Sequence, residues 1–330
     1  MTAVDLAAAL ALGLIFGSFA NVCIHRMPER RSVAWPGSAC PQCGAPIAWF
    51  DNIPVLSWLV LRGRCRACHA PIPWSYPVVE ATSALMLVQL CLRHGLTLRW
   101  VALSYLALSL LVLVPIDWKH GILPDLVTIP GTVVGLVLSF FTSEPGRVDA
   151  MLGAAVGGLV PLMIRAAYMA WARIRTFRVG GVRMPGWPGA AATTSGPTLT
   201  GAVEPVAGPE PTPATRQESP GGEGEGDEAA GDEPDGDDER REGLGLGDVK
   251  MLMMVGAFLG VSNVLLTMLL GSVIGSLYVV PLVLVGRRSM KSAVPFGPFL
   301  GIAAILSMFW GRQIIDWYTT LVLALPLGGS

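Results

Sequence analysis

Apolar residues in this chain gather into runs of roughly 20, the length a helix needs to cross the hydrocarbon core of a bilayer. Such runs lie near 4–24, 76–93, 99–117, 122–141, 150–172, 248–261, 262–285 and 296–312. The stretch from Met251 to Val285 has 35 residues; as one helix it would extend roughly 52 Å, far beyond one bilayer core. It must therefore turn, and Gly260-Val-Ser-Asn263 is the expected place. Beyond Gly311-Arg312-Gln313, residues 314–327 form a shorter apolar stretch, expected to be an interfacial helix, with a ninth short span as the alternative. The pattern predicts an all-α polytopic protein of about eight spans.

Cations sort the intervening loops. With the N-terminus outside, loops 25–75, 117–121, 173–247 and 286–295 are cytosolic and carry Arg26, Arg30, Arg31, Arg62, Arg64, Arg66, Lys119, Arg173, Arg175, Arg178, Arg183, Arg287, Arg288 and Lys291. The outer loops 94–98, 142–149 and 261–263 hold only Arg147, with Arg99 at a boundary. The first run lacks a basic leader region and a small-residue cleavage site, so it reads as a retained span.

Composition agrees. Mean hydropathy is +0.56 and 14% of residues are charged, too few to cover a soluble domain of this size. No basic stretch marks a nucleic-acid partner; the expected surroundings are membrane lipid. Net charge is −1, but the acids are concentrated between Glu218 and Glu239 within a stretch, 184–242, rich in Pro, Gly, Ala and Thr and nearly free of large apolar residues. Such a segment cannot bury enough surface to offset the entropy of ordering it, and a disordered cytosolic linker is expected. The chain thus divides into a first transmembrane helix (1–24), a cytosolic four-cysteine loop (25–75), spans carrying Asp117 (76–183), the acidic linker (184–242) and spans carrying Asp248 (243–330).

Two acids stand out because ionisable groups at membrane depth mark function. Asp117 ends the run from Trp100 to Ile116; Asp248 follows Gly245 and Gly247 at the mouth of a later run. Both fall on the predicted cytosolic side. Paired carboxylates divide the work of hydrolysis: one takes a proton from water while its protonated partner polarises the scissile carbonyl. The glycines would let the backbone approach a substrate and adopt angles closed to other residues. A plainer role for Asp248 is to cap its own helix. Asp125, after Pro124, fits such a capping role, and Lys119 and Lys250 fit snorkelling to the headgroups.

Cys40-x2-Cys43 and Cys65-x2-Cys68 supply four thiolates suited to tetrahedral zinc in a closed, structural site. Gly44, Arg64 and Arg66 fit turns that offset thiolate charge, and His69 is a surplus ligand. Cys23 and Cys91 read as small buried apolar residues. Glu80 fits a helix first turn or a polar substrate contact, Ser18 and Asn21 fit hydrogen bonds between helices, and Pro295-Phe-Gly-Pro298 could line the site.

Taken together, Phe16-Gly-Ser-Phe-Ala-Asn21, Arg26-Met-Pro28, the two cysteine pairs, Tyr76-Pro-Val-Val-Glu80, Ile116-Asp117, Leu123-Pro-Asp125, Gly245-Leu-Gly-Asp-Val-Lys250 and Pro295-Phe-Gly-Pro-Phe299 resemble the type IV prepilin peptidases, a family of GxGD-type intramembrane aspartic peptidases. The resemblance implies that Asp117 and Asp248 are catalytic. It implies prepilin and type II secretion pseudopilin substrates, cut at a short basic leader on the cytosolic face of the bacterial inner membrane. It also implies N-methylation of the new N-terminal residue with S-adenosyl-L-methionine, an activity associated with the first large loop. No glycine-rich cofactor loop places the methyl donor. The insert before GxGD is longer than the family's usual connection. Competing readings are a peptidase without methylation, a transporter using paired acids, and a zinc-bearing scaffold; the absence of repeated spans and the pair's position at the membrane edge disfavour the transporter.

Overall fold

The computed structural model describes residues 2–178, 245–285 and 295–324. The predicted linker 184–242 lies outside the described residues. The elements are α1 (Ala3–Arg26), a 3-10 turn (Trp49–Asn52), α2 (Leu56–Val60), α3 (Ser75–His94), α4 (Leu98–His120), α5 (Asp125–Leu138), α6 (Arg147–Arg178), α7 (Leu246–Leu284) and α8 (Gly297–Ala324). Among the described residues there are no strands, only the isolated bridges Ala39–Pro46 and Arg64–Pro71. Among the described residues six helices are long and apolar enough to cross a membrane: α1, α3, α4, α6, α7 and α8.

The chain packs around α4. Leu103, Leu106, Leu110, Leu113 and Ile116 are buried along it, and α1, α3, α5, α7 and α8 all touch it. Because lipid is as apolar as leucine, helices in a bilayer gain little by hiding apolar surface and associate where small residues let them approach. That rule operates twice here. A Cβ on Gly17 would stand 2.7 Å from the Cα of Glu80, and one on Gly13 2.5 Å from the Cα of Ala84, so α1 lies directly on the backbone of α3. Likewise Gly153 and Gly157 of α6 face Gly256 and Leu252 of α7 backbone to backbone.

The long run turns where expected. Gly260 has φ 81° and ψ −179°, a conformation that side chains resist, and it divides α7 into Leu246–Leu259 and Val261–Leu284. The two arms double back. Asp248 of the first arm and Gly275 of the second both approach the first turn of α8, at Gly297 and at Phe296 and Phe299 respectively; in a straight helix they would be roughly 40 Å apart. The second arm starts with unpaired backbone donors, and Asp149 of α6 accepts from the Val261 N–H at 3.1 Å. This is a helix cap supplied by a different helix.

Two expectations need correction. The predicted span 122–141 is only the 14-residue helix α5, because Pro124 delays its start and the chain turns at Ser139–Phe141. The first arm of α7 is equally short, and the two lie side by side, with Gly131 against Met254 and Gly135 against Phe258. At the far end, Gly311-Arg312-Gln313 interrupts nothing. The helix α8 runs through it to Ala324, Arg312 reaching out to Glu144 at 2.8 Å, so no separate interfacial helix begins at 314.

Candidate active site and metal centre

Helix α4 ends one turn beyond Asp117, where Gly121 (φ 66°) caps it by donating to the Asp117 carbonyl. Helix α7 begins two residues before Asp248, at Leu246, with Gly245 as its N-cap. The loop between α4 and α5, carrying Leu123, packs on Gly247: a Cβ there would sit 2.9 Å from that of Leu123. So the termini of α4 and α7 lie together, and both aspartates are buried, 5% and 6% exposed.

Their carboxylates converge on the first residue of α8. A Cβ built on Gly297 would lie 2.9 Å from Asp248 Oδ1 and closer still to Asp117 Oδ2. The two oxygens are therefore separated by less than twice 2.9 Å. Asp117 Oδ2 has no hydrogen-bond partner among the described residues. Asp248 does two things at once: Oδ2 accepts from the Gly245 N–H at 3.3 Å, capping its own helix, while Oδ1 faces Gly297. The capping reading and the paired-acid reading of Asp248 are thus compatible.

The glycines of the motif act differently from expectation. Gly245 has φ −71° and Gly247 lies within the helix, both ordinary conformations; what Gly247 supplies is room for Leu123. Asp125 occupies the first turn of α5 as expected and in addition holds Lys250 Nζ at 2.7 Å, tying α5 to α7 beside the pair. Sequence reasoning missed an aromatic wall at the same end: Trp118, Tyr278 and Phe299 meet with ring centroids 5.4–6.0 Å apart. Trp118 adjoins Asp117 and Phe299 closes the Pro-Phe-Gly-Pro-Phe run, so position next to a motif was the available signal.

The four cysteines come together in the loop between α1 and α3. Their sulfurs all lie within 4.8 Å of one another, and Cys40 Sγ is 3.8 Å from Cys68 Sγ. A tetrahedron with Zn–S bonds of about 2.3 Å has edges of about 3.8 Å, so the donor set and spacing fit zinc. Each pair folds as the same knuckle. The Cys40 N–H donates to the Ala45 carbonyl and the Gly44 N–H to that of Cys40; the Cys65 N–H donates to Ala70 and the His69 N–H to Cys65. Amides of Cys43 and Gln42 lower the Cys40 thiol to about 6. For Cys68 the Ala70 amide pulls the other way, but desolvation and the three neighbouring thiols raise it to about 11.

His69 is not a ligand of this group; it occupies the position that Gly44 fills in the first knuckle, at φ 56° against 70°. Arg66 does not offset thiolate charge as expected. It forks onto Asp51 at 2.7 and 2.6 Å and lies over the Phe50 ring. Cys23 and Cys91 are buried as expected. Ser18 and Asn21 both border Glu80, and Asn21 donates to the Tyr76 carbonyl at 3.1 Å. A cavity of about 400 Å³ lies between α1 and the loop. Its cation, Arg26, donates to the carbonyls of Ser32, Pro36 and Gly37.

Comparison with known proteins matches these two halves separately. The bacterial peptidase A24 N-terminal domain matches residues 11–94, and the type IV leader peptidase family matches 104–191 and 239–280. Similar proteins include a prepilin leader peptidase/N-methyltransferase of Pseudomonas putida, 31% identical over 93% of this chain and 91% of its own. Another of that description, from Aeromonas salmonicida (strain A449), is 30% identical over 94% of this chain and 92% of its own. One from Myxococcus xanthus (strain DK1622) is 44% identical over 160 residues, 48% of this chain and 47% of the relative. No solved structure matches. With near full-length relatives of this kind and both matched regions in order, the chain belongs to the type IV leader peptidase family.

Proposed function

We propose that this protein removes the leader peptide of prepilins through Asp117 and Asp248 and then methylates the new N-terminus with S-adenosyl-L-methionine. The observation that carries the peptidase reading is the convergence of two buried carboxylates at Gly297. One draws a proton from the attacking water; its protonated partner hydrogen-bonds the scissile carbonyl, and as the C–N bond breaks a proton passes to the departing amine. The aromatic wall stands at the same end of the bundle as the pair. The two carboxylates activate water directly, so the reaction needs no covalent intermediate.

The names of the relatives support the methyltransferase half and the substrate class, to which we add pseudopilins of type II secretion. We assign methyl transfer to the first large loop, 25–75, which holds neither aspartate. Zinc on Cys40, Cys43, Cys65 and Cys68 folds the loop; four sulfurs close the site and leave no position for a reacting water. The cation-rich loops support a multi-pass inner-membrane protein with the pair at the cytosolic face.

The test is cleavage of a prepilin-like substrate in liposomes with S-adenosyl-L-methionine, read by product mass for the native chain, Asp117→Asn and Asp248→Asn. A leader-sized loss plus one methyl mass, absent in both variants, is expected. Cleavage without the methyl increment removes the second activity. Cleavage surviving either substitution in correctly inserted protein refutes the two-aspartate mechanism.

A further inference from the structure

The loop between α1 and α3 does not simply project into water. One hydrogen bond and one shared cavity place its middle segment, residues 49–60, beside α1 and α3. The Val55 N–H donates to Glu80 Oε2 at 2.7 Å, and Glu80 lies five residues into α3, roughly 7 Å along its axis. Asn52 and Pro54 line the cavity together with Ile15 and Phe19 of α1. Ile15 is eleven residues before Arg26, roughly 16 Å back along a helix. The segment therefore descends beside two spans instead of rising away from them.

What it turns outward is apolar. Trp49 is 82% exposed, and Leu56, Leu59 and Val60 are 55%, 60% and 68% exposed. Those last three stand at i, i+3 and i+4 and share one face of α2. The other face is engaged within the loop: Trp58 packs on Gly63 and donates to the Ile72 carbonyl, and Ser57 donates to that of Phe50. Exposed Arg62 and Arg64 follow directly. An apolar face, an outermost tryptophan and flanking arginines are what a helix lying in the headgroup region of an anionic bilayer presents.

We propose that residues 49–60 form an elbow embedded in the lipid leaflet beside α1 and α3, with Trp49, Leu56, Leu59 and Val60 in contact with lipid. The apolar surface is continuous with that of the neighbouring span, where Ile15 and Phe19 are 58% and 50% exposed. The elbow also gives Glu80 a role. Non-helical backbone at membrane depth is tolerated only where its polar groups are satisfied, and Val55 is held at φ 61°, an unfavourable angle for a β-branched residue, with its N–H aimed at that carboxylate. Glu80 is thereby a positioning residue for the elbow.

The test uses the full chain in vesicles of phosphatidylethanolamine and phosphatidylglycerol, with a photo-reactive benzoyl-phenylalanine replacing Trp49, Leu59 or, as a reference, the exposed knuckle residue Gln42. Irradiation followed by mass spectrometry is expected to give lipid adducts at positions 49 and 59, several-fold above position 42. Equal yields at all three, or no lipid adduct, overturn the proposal. So does a lipid adduct at 49 and 59 that an added prepilin-like peptide replaces with a peptide adduct, because the surface would then belong to a protein partner. The cleavage assay on the same samples separates this outcome from any failure of the peptidase reading.

Discussion

Gly297→Ala is the sharpest probe of the paired acids. One methyl is added at the first residue of α8, within 2.9 Å of Asp248 Oδ1 and nearer to Asp117 Oδ2. The groups that must yield are the two carboxylates themselves, carried on the buried ends of α4 and α7. Overpacking of this kind costs about 1–3 kcal/mol, while alanine in a helix is about 1 kcal/mol better than glycine. The net loss of stability is therefore small. Displacing a reacting group by about 1 Å, however, lowers a rate by about 10²-fold. The expected result is an inserted protein with a nearly unchanged melting temperature and kcat for prepilin cleavage reduced by about two orders of magnitude. Gly275→Ala is the control, because its new methyl would meet Phe296 and Phe299 at ordinary contact, 3.5 Å, and it should keep its activity. A Gly297→Ala protein that cleaves within a few-fold of the native rate would refute either the convergence of the two carboxylates or their joint role.

Three further outcomes follow from the loops and caps. Asp149→Ala removes the carboxylate that caps the second arm of α7 and should lower stability by about 1 kcal/mol, read as a drop in melting temperature in detergent. His69→Gly relieves a left-handed residue in the second knuckle and should stabilise the metal-loaded loop by about 1 kcal/mol, whereas loss of zinc from this variant would mean that the imidazole is a ligand after all. The Arg66 fork holds the Asp51 carboxyl below its usual value. Its contribution is therefore complete above the ordinary aspartate range and disappears as pH falls through the lowered value; Asp51→Asn should flatten the acid limb of loop unfolding monitored by hydrogen exchange.

The parts that were readable from sequence are those written in local terms. Run length gave the helices, a glycine inside a run too long for one crossing gave the reversal at Gly260, and cysteine spacing gave the four-sulfur cluster. The aspartates were found because charge is expensive where they lie. The rest depends on which helices become neighbours, which one sequence does not encode locally. Nothing near Gly297 announces that two carboxylates meet over it. Asp149 reads as an ordinary first-turn acid until Val261 arrives beside it. Arg66 stands between two cysteines, yet Asp51, fifteen residues away, takes it. The length of α5 was misjudged because apolar residues run past both ends of the helix that Pro124 and the turn at Ser139 delimit.

That shortness reaches into the membrane itself. A 14-residue helix spans about 21 Å, and α5 and the first arm of α7 are both of this length and adjacent, against a hydrocarbon core of about 30 Å. Lipid beside α5, whose Leu126, Ile129, Val133 and Val137 are exposed, would thin or tilt to meet it; Lys250 on Asp125 ties this helix to the arm that carries Asp248. A leaflet thinned at that point would let water and an extended peptide reach the acids without crossing the full barrier. The expected consequence is a rate that depends on bilayer thickness: acyl chains long enough to resist thinning would slow hydrolysis, and shorter ones would speed it.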